Sequence, residues 1–160
     1  MKNNDIKSLS SACILVIGNE ILSGRTEDKN INFIAKRCDK IGVSVNEVRI
    51  IPDEPKIIKD TVLTCHKIFD YVFTTGGIGP THDDITTECI ASAFNLDIEI
   101  NEEALKRLKH HYRKLKDELN ESRIKMAKIQ KGALLMNKHN SDTPGWSVQK
   151  EDELQGVTKI

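Results

Sequence analysis

The hydrophobic pattern begins with a strand and a helix. Residues 12–18 form an almost continuously apolar, β-branched run that ends in glycine, which is typical of a strand covered on both faces. Further along, apolar residues recur at helical spacing and Gly42 follows them as a stop signal. The apolar positions of this helix are Ile31, Ile34, Ala35, Cys38 and Ile41. Both elements predict a chain that buries an ordered core.

Two more strand and helix pairs follow in the same order. Residues 43–51 predict a second strand, after which Asp53 is expected to cap a helix that has Pro55 in its first turn. Residues 70–75 predict the third strand. The apolar stripes of the two helices are Ile58, Val62, Cys65 and Phe69, then Ile85, Cys89 and Ala93. This alternation predicts an α/β fold with right-handed crossovers and a mainly parallel sheet that has helices on both faces.

The second half of the chain has a different character. Residues 101–119 carry one narrow apolar stripe on an otherwise charged helix. This stripe fits either a helix laid over the edge of the domain or a helix that pairs subunits. Residues 132–136 and 143–148 predict two short strands joined by polar residues.

Length and charge limit the class of protein. The 160 residues fit one domain, expected over residues 12–160 after a flexible segment at 1–11. Because 24 basic residues balance 24 acidic ones, no global field attracts nucleic acid or an anionic membrane, and neither is an expected partner. No apolar run is long enough to span a bilayer. Four separated cysteines in apolar patterns predict buried free thiols and a soluble protein of the cytoplasm.

The candidate chemistry lies in residues 74–84, which read TTGGIGPTHDD. Gly76, Gly77 and Gly79 follow the third strand and let main-chain N–H groups approach a ligand. Together with the next helix, these groups predict an anion site suited to phosphate, to which Thr75 adds a hydroxyl. The spacing matches neither the P-loop nor the Rossmann fingerprint. A tight strand-to-helix connection would also explain the glycines.

The two adjacent aspartates predict a metal ion. Carboxylates beside a bound phosphate repel it unless a cation intervenes, and Mg²⁺ takes both kinds of oxygen. Asp83 is the expected main ligand or essential carboxylate, and Asp84 is a second ligand or a helix cap. The alternative for Asp84 is a capping box with Thr81. His82 fits a ligand or general acid, or simply a hydrogen-bonding side chain.

The loop after the first strand repeats this arrangement more weakly. Glu20 comes just after that strand and therefore belongs to the same carboxyl edge of the sheet as the glycine turn, which makes it a candidate catalytic residue together with Asp83. Asp28 and Asn30 lie at the start of the following helix, where capping is their expected role.

Several motifs together resemble the molybdopterin-binding domain shared by MoaB, MogA and gephyrin. These motifs are G18-N-E-I-L-S-G24, D28-x-N30, the 74–84 turn with Thr86, R123-x-x-M126-A, G132-A and P144-G145. The turn is most similar to that of the CinA N-terminal branch and of some FAD synthetases. The resemblance covers residues 12–148, most of the chain.

The resemblance implies a three-layer α/β/α sandwich, often a trimer or another homo-oligomer, with a pocket at the carboxyl ends of the strands. By position, Gly76, Gly77 and Gly79 would hold phosphate and Asp83 would be the essential carboxylate. Further residues implied as pocket walls are Glu20, Ser23, Gly24, Pro144 and Gly145. The implied ligand is molybdopterin, adenylylated with ATP and Mg²⁺, or ADP-ribose, hydrolysed by a metal-dependent pyrophosphatase. A binding or oligomerisation module without catalysis is the third expectation.

The chain departs from this family pattern at two places. Asn19 stands where many relatives have aspartate, which removes one candidate metal oxygen. Relatives continue past the A-P-G turn, here Thr143 to Gly145, into a P-G-x-P strand end and a last helix, whereas residues 153–160 read ELQGVTKI. The expectation from the sequence is a domain shortened at its C-terminus.

Overall fold

The computed structural model describes residues 10–136, 145–152 and 156–159. The first half contains β1 (Ser10–Ile17), α1 (Asn19–Leu22), α2 (Asn30–Lys40), β2 (Val43–Ile51), α3 (Pro55–Ile68), β3 (Tyr71–Thr75) and α4 (Thr86–Ala93). The second half contains β4 (Ile98–Ile100), α5 (Glu102–Leu115), α6 (Glu121–Ile124), a 3-10 helix (Lys125–Ala127), β5 (Lys128–Gln130), β6 (Leu134–Met136), β7 (Gly145–Ser147), β8 (Gln149–Asp152) and β9 (Gly156–Lys159).

The main sheet is built around β1. Its strand order is β2-β1-β3-β9-β8, and β2, β1, β3 and β9 run parallel to one another. Only the β8–β9 pair of this sheet is antiparallel. Ile17 pairs with Ile51, and Val16 pairs with Thr75, so the carboxyl ends of β1, β2 and β3 lie at one edge. The predicted mainly parallel α/β sheet is confirmed.

The largest core cluster lies between one face of the sheet and the pair α3 and α4. Cys13, Leu15 and Ile17 of β1 pack there with buried residues of both helices, which include Ile58 and Ile90. The intervening β1 residues are also buried, and α2 contacts β1 and β2, so helices cover both faces of this strand. This continuous burial explains why β1 is apolar from Ala12 to Ile17.

All four cysteines are buried free thiols, as the sequence predicts. The Sγ atoms of Cys13 and Cys65 lie 3.7 Å apart between β1 and α3. Burial, followed by the neighbouring Cys65, raises the pKa of the Cys13 thiol to about 12. Protonated thiols of this kind act as small apolar side chains.

A second, smaller cluster holds α5 in place. Ala104 and Leu108 are fully buried against Ala127 of the 3-10 helix, with Leu135 of β6 beside them. Two antiparallel pairs, β4 with β5 and β6 with β7, complete this half. Part of the apolar stripe on α5 is therefore packed against other elements of the same domain. The prediction of two short strands, here β6 and β7, is confirmed.

Two local expectations are wrong. Asp53 does not cap α3, whose N-cap is Glu54 with no side-chain hydrogen bond. Ile41, expected on the apolar stripe of α2, is 73% exposed because α2 ends at Lys40 and Ile41 is the residue that follows the helix. In the described ranges, no helix is long and apolar enough to cross a membrane.

Candidate functional site

The site lies where the first three strands end. Gly18, directly after β1, donates its N–H to the carbonyl of Ile51 at 3.0 Å. The next amide, that of Asn19, donates to Oδ2 of Asp53 at 2.8 Å. Asn30, the first residue of α2, donates from Nδ2 to Oγ1 of Thr75 at 2.8 Å. These bonds tie the first loop to the ends of β2 and β3.

Gly76 and Gly77 make the turn possible because both have positive φ, 95° and 62°. A Cβ on Gly76 would lie 1.9 Å from the main-chain oxygen of Ile17, and one on Gly77 would lie 2.3 Å from Oγ1 of Thr86. The glycines therefore allow β3 to approach β1 and α4 closely. The interpretation as a tight strand-to-helix connection accounts for this part of the turn.

Two main-chain amides of the turn have no hydrogen-bond acceptor among the described residues, whereas two of its carbonyls do have donors. Thr86 satisfies the carbonyls, since its Oγ1 donates to Gly76 at 2.9 Å and its N–H to Gly77 at 3.0 Å. By contrast, the N–H groups of Gly77 and Ile78 have no acceptor among the described residues. Both residues are only half-buried. Unpaired main-chain donors between a strand end and a helix start are suited to bind an anion.

Asp84 holds the turn from inside. Its Oδ2 accepts from the N–H of Thr81 at 2.7 Å and from Oγ1 of the same residue at 2.5 Å. Burial alone would raise the pKa of Asp84, but the hydrogen bonds from Thr81 and Gly79 and the charge of Lys125 together hold it below its ordinary value. The expected pairing of Thr81 with Asp84 is present, although it closes the turn rather than capping α4, which begins at Thr86.

Asp83 is free of such contacts. Its side chain is 71% exposed and its Oδ1 lies 2.9 Å from Nε2 of His82, which is 91% exposed. The two adjacent aspartates thus differ: Asp84 stabilises the turn, whereas Asp83 presents a carboxylate to solvent. His82 forms a hydrogen bond with that carboxylate.

The first loop is more open. The carboxylate of Glu20 lies over Gly18, within 2.9 Å of an added Cβ, and does not contact the turn. Ser23 bonds the carbonyl of Glu20 at 3.2 Å, and an added Cβ on Gly24 would contact nothing within 4 Å. Asp28 accepts from the N–H of Ile31 at 2.7 Å, as expected of a capping residue, whereas Asn30 bonds Thr75 instead.

A cavity opens beside the turn. Its walls come from the turn, the first turn of α4, the 3-10 helix and β7, with Ile78, Gly79, Asp84, Thr87, Glu88, Lys125, Met126 and Trp146 as lining residues. Gly145 is buried at the start of β7 next to this wall. Pro144, predicted to close the pocket, lies outside the described residues.

Lys125 fastens the turn to the second half of the chain. Its Nζ donates to the main-chain oxygens of Asp84 and Thr81 and lies 3.6 Å from Oε1 of Glu88. From the sequence, Lys125 fits either an anion contact or a solvated surface charge, and neither describes this role. No periodicity in the sequence indicates that a residue 41 positions away from Asp84 contacts it.

Asp53 is the site residue that sequence reasoning missed. Its Oδ2 holds the amide of Asn19, and its Oδ1 lies 3.6 Å from the position of an added Cβ on Gly77. The carboxylate therefore lies between the first loop and the turn. The available signal was its position just after β2, because the residues that follow parallel strands lie at the same edge of the sheet.

The carboxylates around the turn bear on the predicted magnesium ion. No group of three or more His, Cys, Asp or Glu side chains in the described part of the chain is arranged to hold a metal. Mg²⁺ does not require one, since it commonly takes one or two carboxylates and completes its shell with phosphate oxygens and water. Asp53 lies beside Gly77 with its Oδ2 bonded to the amide of Asn19, Asp83 is exposed to solvent, and Asp84 is engaged by Thr81.

The chain matches a family model across most of its length. Residues 13–154 match the model described as a probable molybdopterin binding domain. A protein of Sulfurisphaera tokodaii is 38% identical over 149 residues, which are 91% of this chain and 54% of that protein. A CinA-like protein of Chloroherpeton thalassium is 34% identical over 143 residues, covering 89% of this chain and 34% of its own.

A solved structure is also similar to this chain over most of its length. The crystal structure of CinA from Thermoplasma acidophilum superposes with a TM-score of 0.78 at 28% identity, covering 96% of this chain and 88% of that one. This chain spans about half, or less, of the curated relatives it matches.

Proposed function

This chain belongs to the family of probable molybdopterin-binding domains and to its CinA-like branch, and from that premise we propose that it binds a phosphate-containing pterin or nucleotide together with Mg²⁺. The supporting observation is the pair of unpaired amides at Gly77 and Ile78 at the carboxyl edge of the sheet, with the carboxylate of Asp53 beside Gly77 and the exposed carboxylate of Asp83 in the same turn. A role in molybdenum cofactor biosynthesis follows if the ligand is molybdopterin.

Each part of the turn has a task in this proposal. The amides of Gly77 and Ile78 donate to a phosphate oxygen, and Asp84 with Lys125 keeps them oriented. Asn30 fixes the hydroxyl of Thr75 beside them. Bound Mg²⁺ would neutralise charge between the phosphate and the carboxylates of Asp53 and Asp83. The exposed loop of Glu20, Ser23 and Gly24 forms the opposite wall.

A second candidate is hydrolysis of ADP-ribose to AMP and ribose phosphate. The P-T-H-D-D form of the turn and the similarity to a CinA-like protein favour it. The exposed carboxylate of Asp83 would then act on a water molecule held near the diphosphate. The third candidate is a domain that binds without turnover.

The test is calorimetry with molybdopterin, ADP-ribose and ATP, each with and without Mg²⁺. Asp83→Asn and Asp53→Asn remove one carboxylate each from the site, while Asp60→Asn removes one from the exposed face of α3 as a matched control. We expect Mg²⁺-dependent binding that weakens about tenfold or more in the two site variants, as lost charge contacts to a phosphate predict, and stays unchanged in the control.

Product analysis separates the candidates. AMP released from ADP-ribose by the wild-type chain, and lost in Asp83→Asn, supports the hydrolase, whereas tight binding without product supports the binding module. If none of the three ligands binds with Mg²⁺ present, the proposed function is wrong.

A further inference from the structure

A line of unpaired cations runs along the outer face of α5. Lys106, Lys109 and Arg113 follow one another at intervals of three and four residues, which places them on a single side of the helix, and Lys116 follows as the left-handed C-cap residue just past its end. All four are exposed. At 1.5 Å per residue the helical part of this cationic stripe, from Lys106 to Arg113, is about 10 Å long, with roughly 4.5 to 6 Å between neighbours.

No cation of the stripe forms an ion pair with an acidic residue in the described part of the chain, although Glu102 precedes Lys106 by four residues on the same side of α5. Lys106, Lys109 and Lys116 have no acidic side chain within ion-pair distance in that part of the molecule, and the contact of Arg113 is with Nδ1 of His110 at 3.2 Å. Like charges three and four residues apart destabilise a helix. The helix dipole compensates only in the last turn, where Arg113 lies, and not at Lys106 or Lys109.

The helix presents this stripe rigidly. Ala104 and Leu108, on the opposite side, are fully buried against the second core cluster, and Asn101 caps the first turn by accepting from the N–H of Ala104 at 2.9 Å. Because the apolar side is occupied, α5 has no free apolar face to insert into a lipid bilayer. The exposed side offers charge alone.

We propose that the cationic stripe of α5 binds the phosphate backbone of a nucleic acid. A strand of B-DNA carries one phosphate for about every 3.4 Å of its axis, so the helical part of the stripe spans about three phosphates, with Lys116 beyond it. A basic stripe along one helix face is the usual electrostatic footprint of such binding. The zero net charge of the chain rules out a global field but permits this local one.

Fluorescence anisotropy tests the proposal with labelled 20-nucleotide single-stranded RNA, single-stranded DNA and duplex DNA between 50 and 200 mM salt. The stripe variant combines Lys106→Gln, Lys109→Gln and Arg113→Gln. The control variant combines Lys36→Gln, Lys40→Gln and Lys67→Gln, which removes the same charge from exposed positions on α2 and α3. Circular dichroism confirms that both variants are folded.

For single strands, each phosphate contact contributes about 0.7 to the slope of log affinity against log salt. We therefore expect a slope of about 3 for the wild-type chain and about 1 for the stripe variant, with at least a tenfold weaker affinity at 50 mM salt. The control variant should bind like the wild-type chain. The three oligonucleotides distinguish RNA from DNA and single strands from duplex.

Three results would overturn the proposal. These are no binding of any oligonucleotide at 50 mM salt, an equal loss in the stripe and control variants, and binding to phosphatidylserine vesicles without binding to any oligonucleotide.

Discussion

At the scale of single residues, neighbouring groups of the same type have different environments. Gly76 packs against the backbone of Ile17, while Gly24 has the same sign of φ and open space around it. Asp84 is held inside the turn by Thr81, while Asp83 is exposed to solvent. Within each pair, the effect of substituting one residue can be compared with the effect of substituting the other, which lacks the contact.

The glycine pair separates steric clash from backbone strain. Gly24→Ala places alanine at φ 72° without a clash, so we expect a loss of about 1 kcal/mol in the free energy of unfolding. Gly76→Ala adds a clash with the oxygen of Ile17, and we expect a loss of about 2–4 kcal/mol. Urea unfolding monitored by circular dichroism measures both. Equal losses would show that the approach of β3 to β1 is not tight.

Asp84 makes stability depend on pH in a defined direction. Because its pKa in the folded chain lies below the ordinary value of 3.8, its contribution is present above about pH 4 and is lost as the pH falls through the lower folded value. Asp84→Asn should therefore lower the free energy of unfolding by roughly 1 kcal/mol at pH 7, with a smaller difference from wild type at pH 3. Urea titrations at pH 7, 5 and 3 check this, and a difference that stays constant would contradict it.

At the scale of elements, the first half of the chain could be predicted from the sequence because its pattern is local. The residues of β1 from Ala12 to Ile17 are apolar because both faces are buried, and α3 and α4 carry clear apolar stripes. The second half could not be predicted as well, since β4 and β5 have only three residues each, too few for an alternating pattern to be recognised. The contact of Lys125 with the main-chain oxygen of Asp84 joins residues 41 positions apart, and no local sequence pattern indicates it.

The attachment of α5 depends on a narrow contact. Leu108 is fully buried in the second cluster, whereas Leu115 on the same helix is 58% exposed. Leu108→Ala should lower the free energy of unfolding by about 2–5 kcal/mol through lost burial and the cavity it leaves. Leu115→Ala, the matched control, should cost less than about 1 kcal/mol. Similar losses from the two variants in urea unfolding would show that α5 is not anchored through Leu108.

At the scale of the whole molecule, the candidate site is assembled from distant parts of the chain. The glycine turn was recognisable from composition alone, and the convergence of Glu20 and the turn on one edge followed from the parallel order of strands. Asp53 was misjudged because an aspartate before Pro55 also fits a helix cap, and sequence patterns do not distinguish the two roles. The fold was therefore more predictable than the site.

The contact between Lys125 and the turn also sets an order of events during synthesis. The three strands that frame the turn leave the ribosome before residue 125, so they have an early opportunity to pair, while the clamp on the Asp84 carbonyl arrives only with the later half of the chain. A nascent chain that ends before this lysine would have β1, β2, β3 and the glycine turn but not the hydrogen bond from Lys125 to that turn. Any anion binding that depends on this contact would begin only after Lys125 has been synthesised.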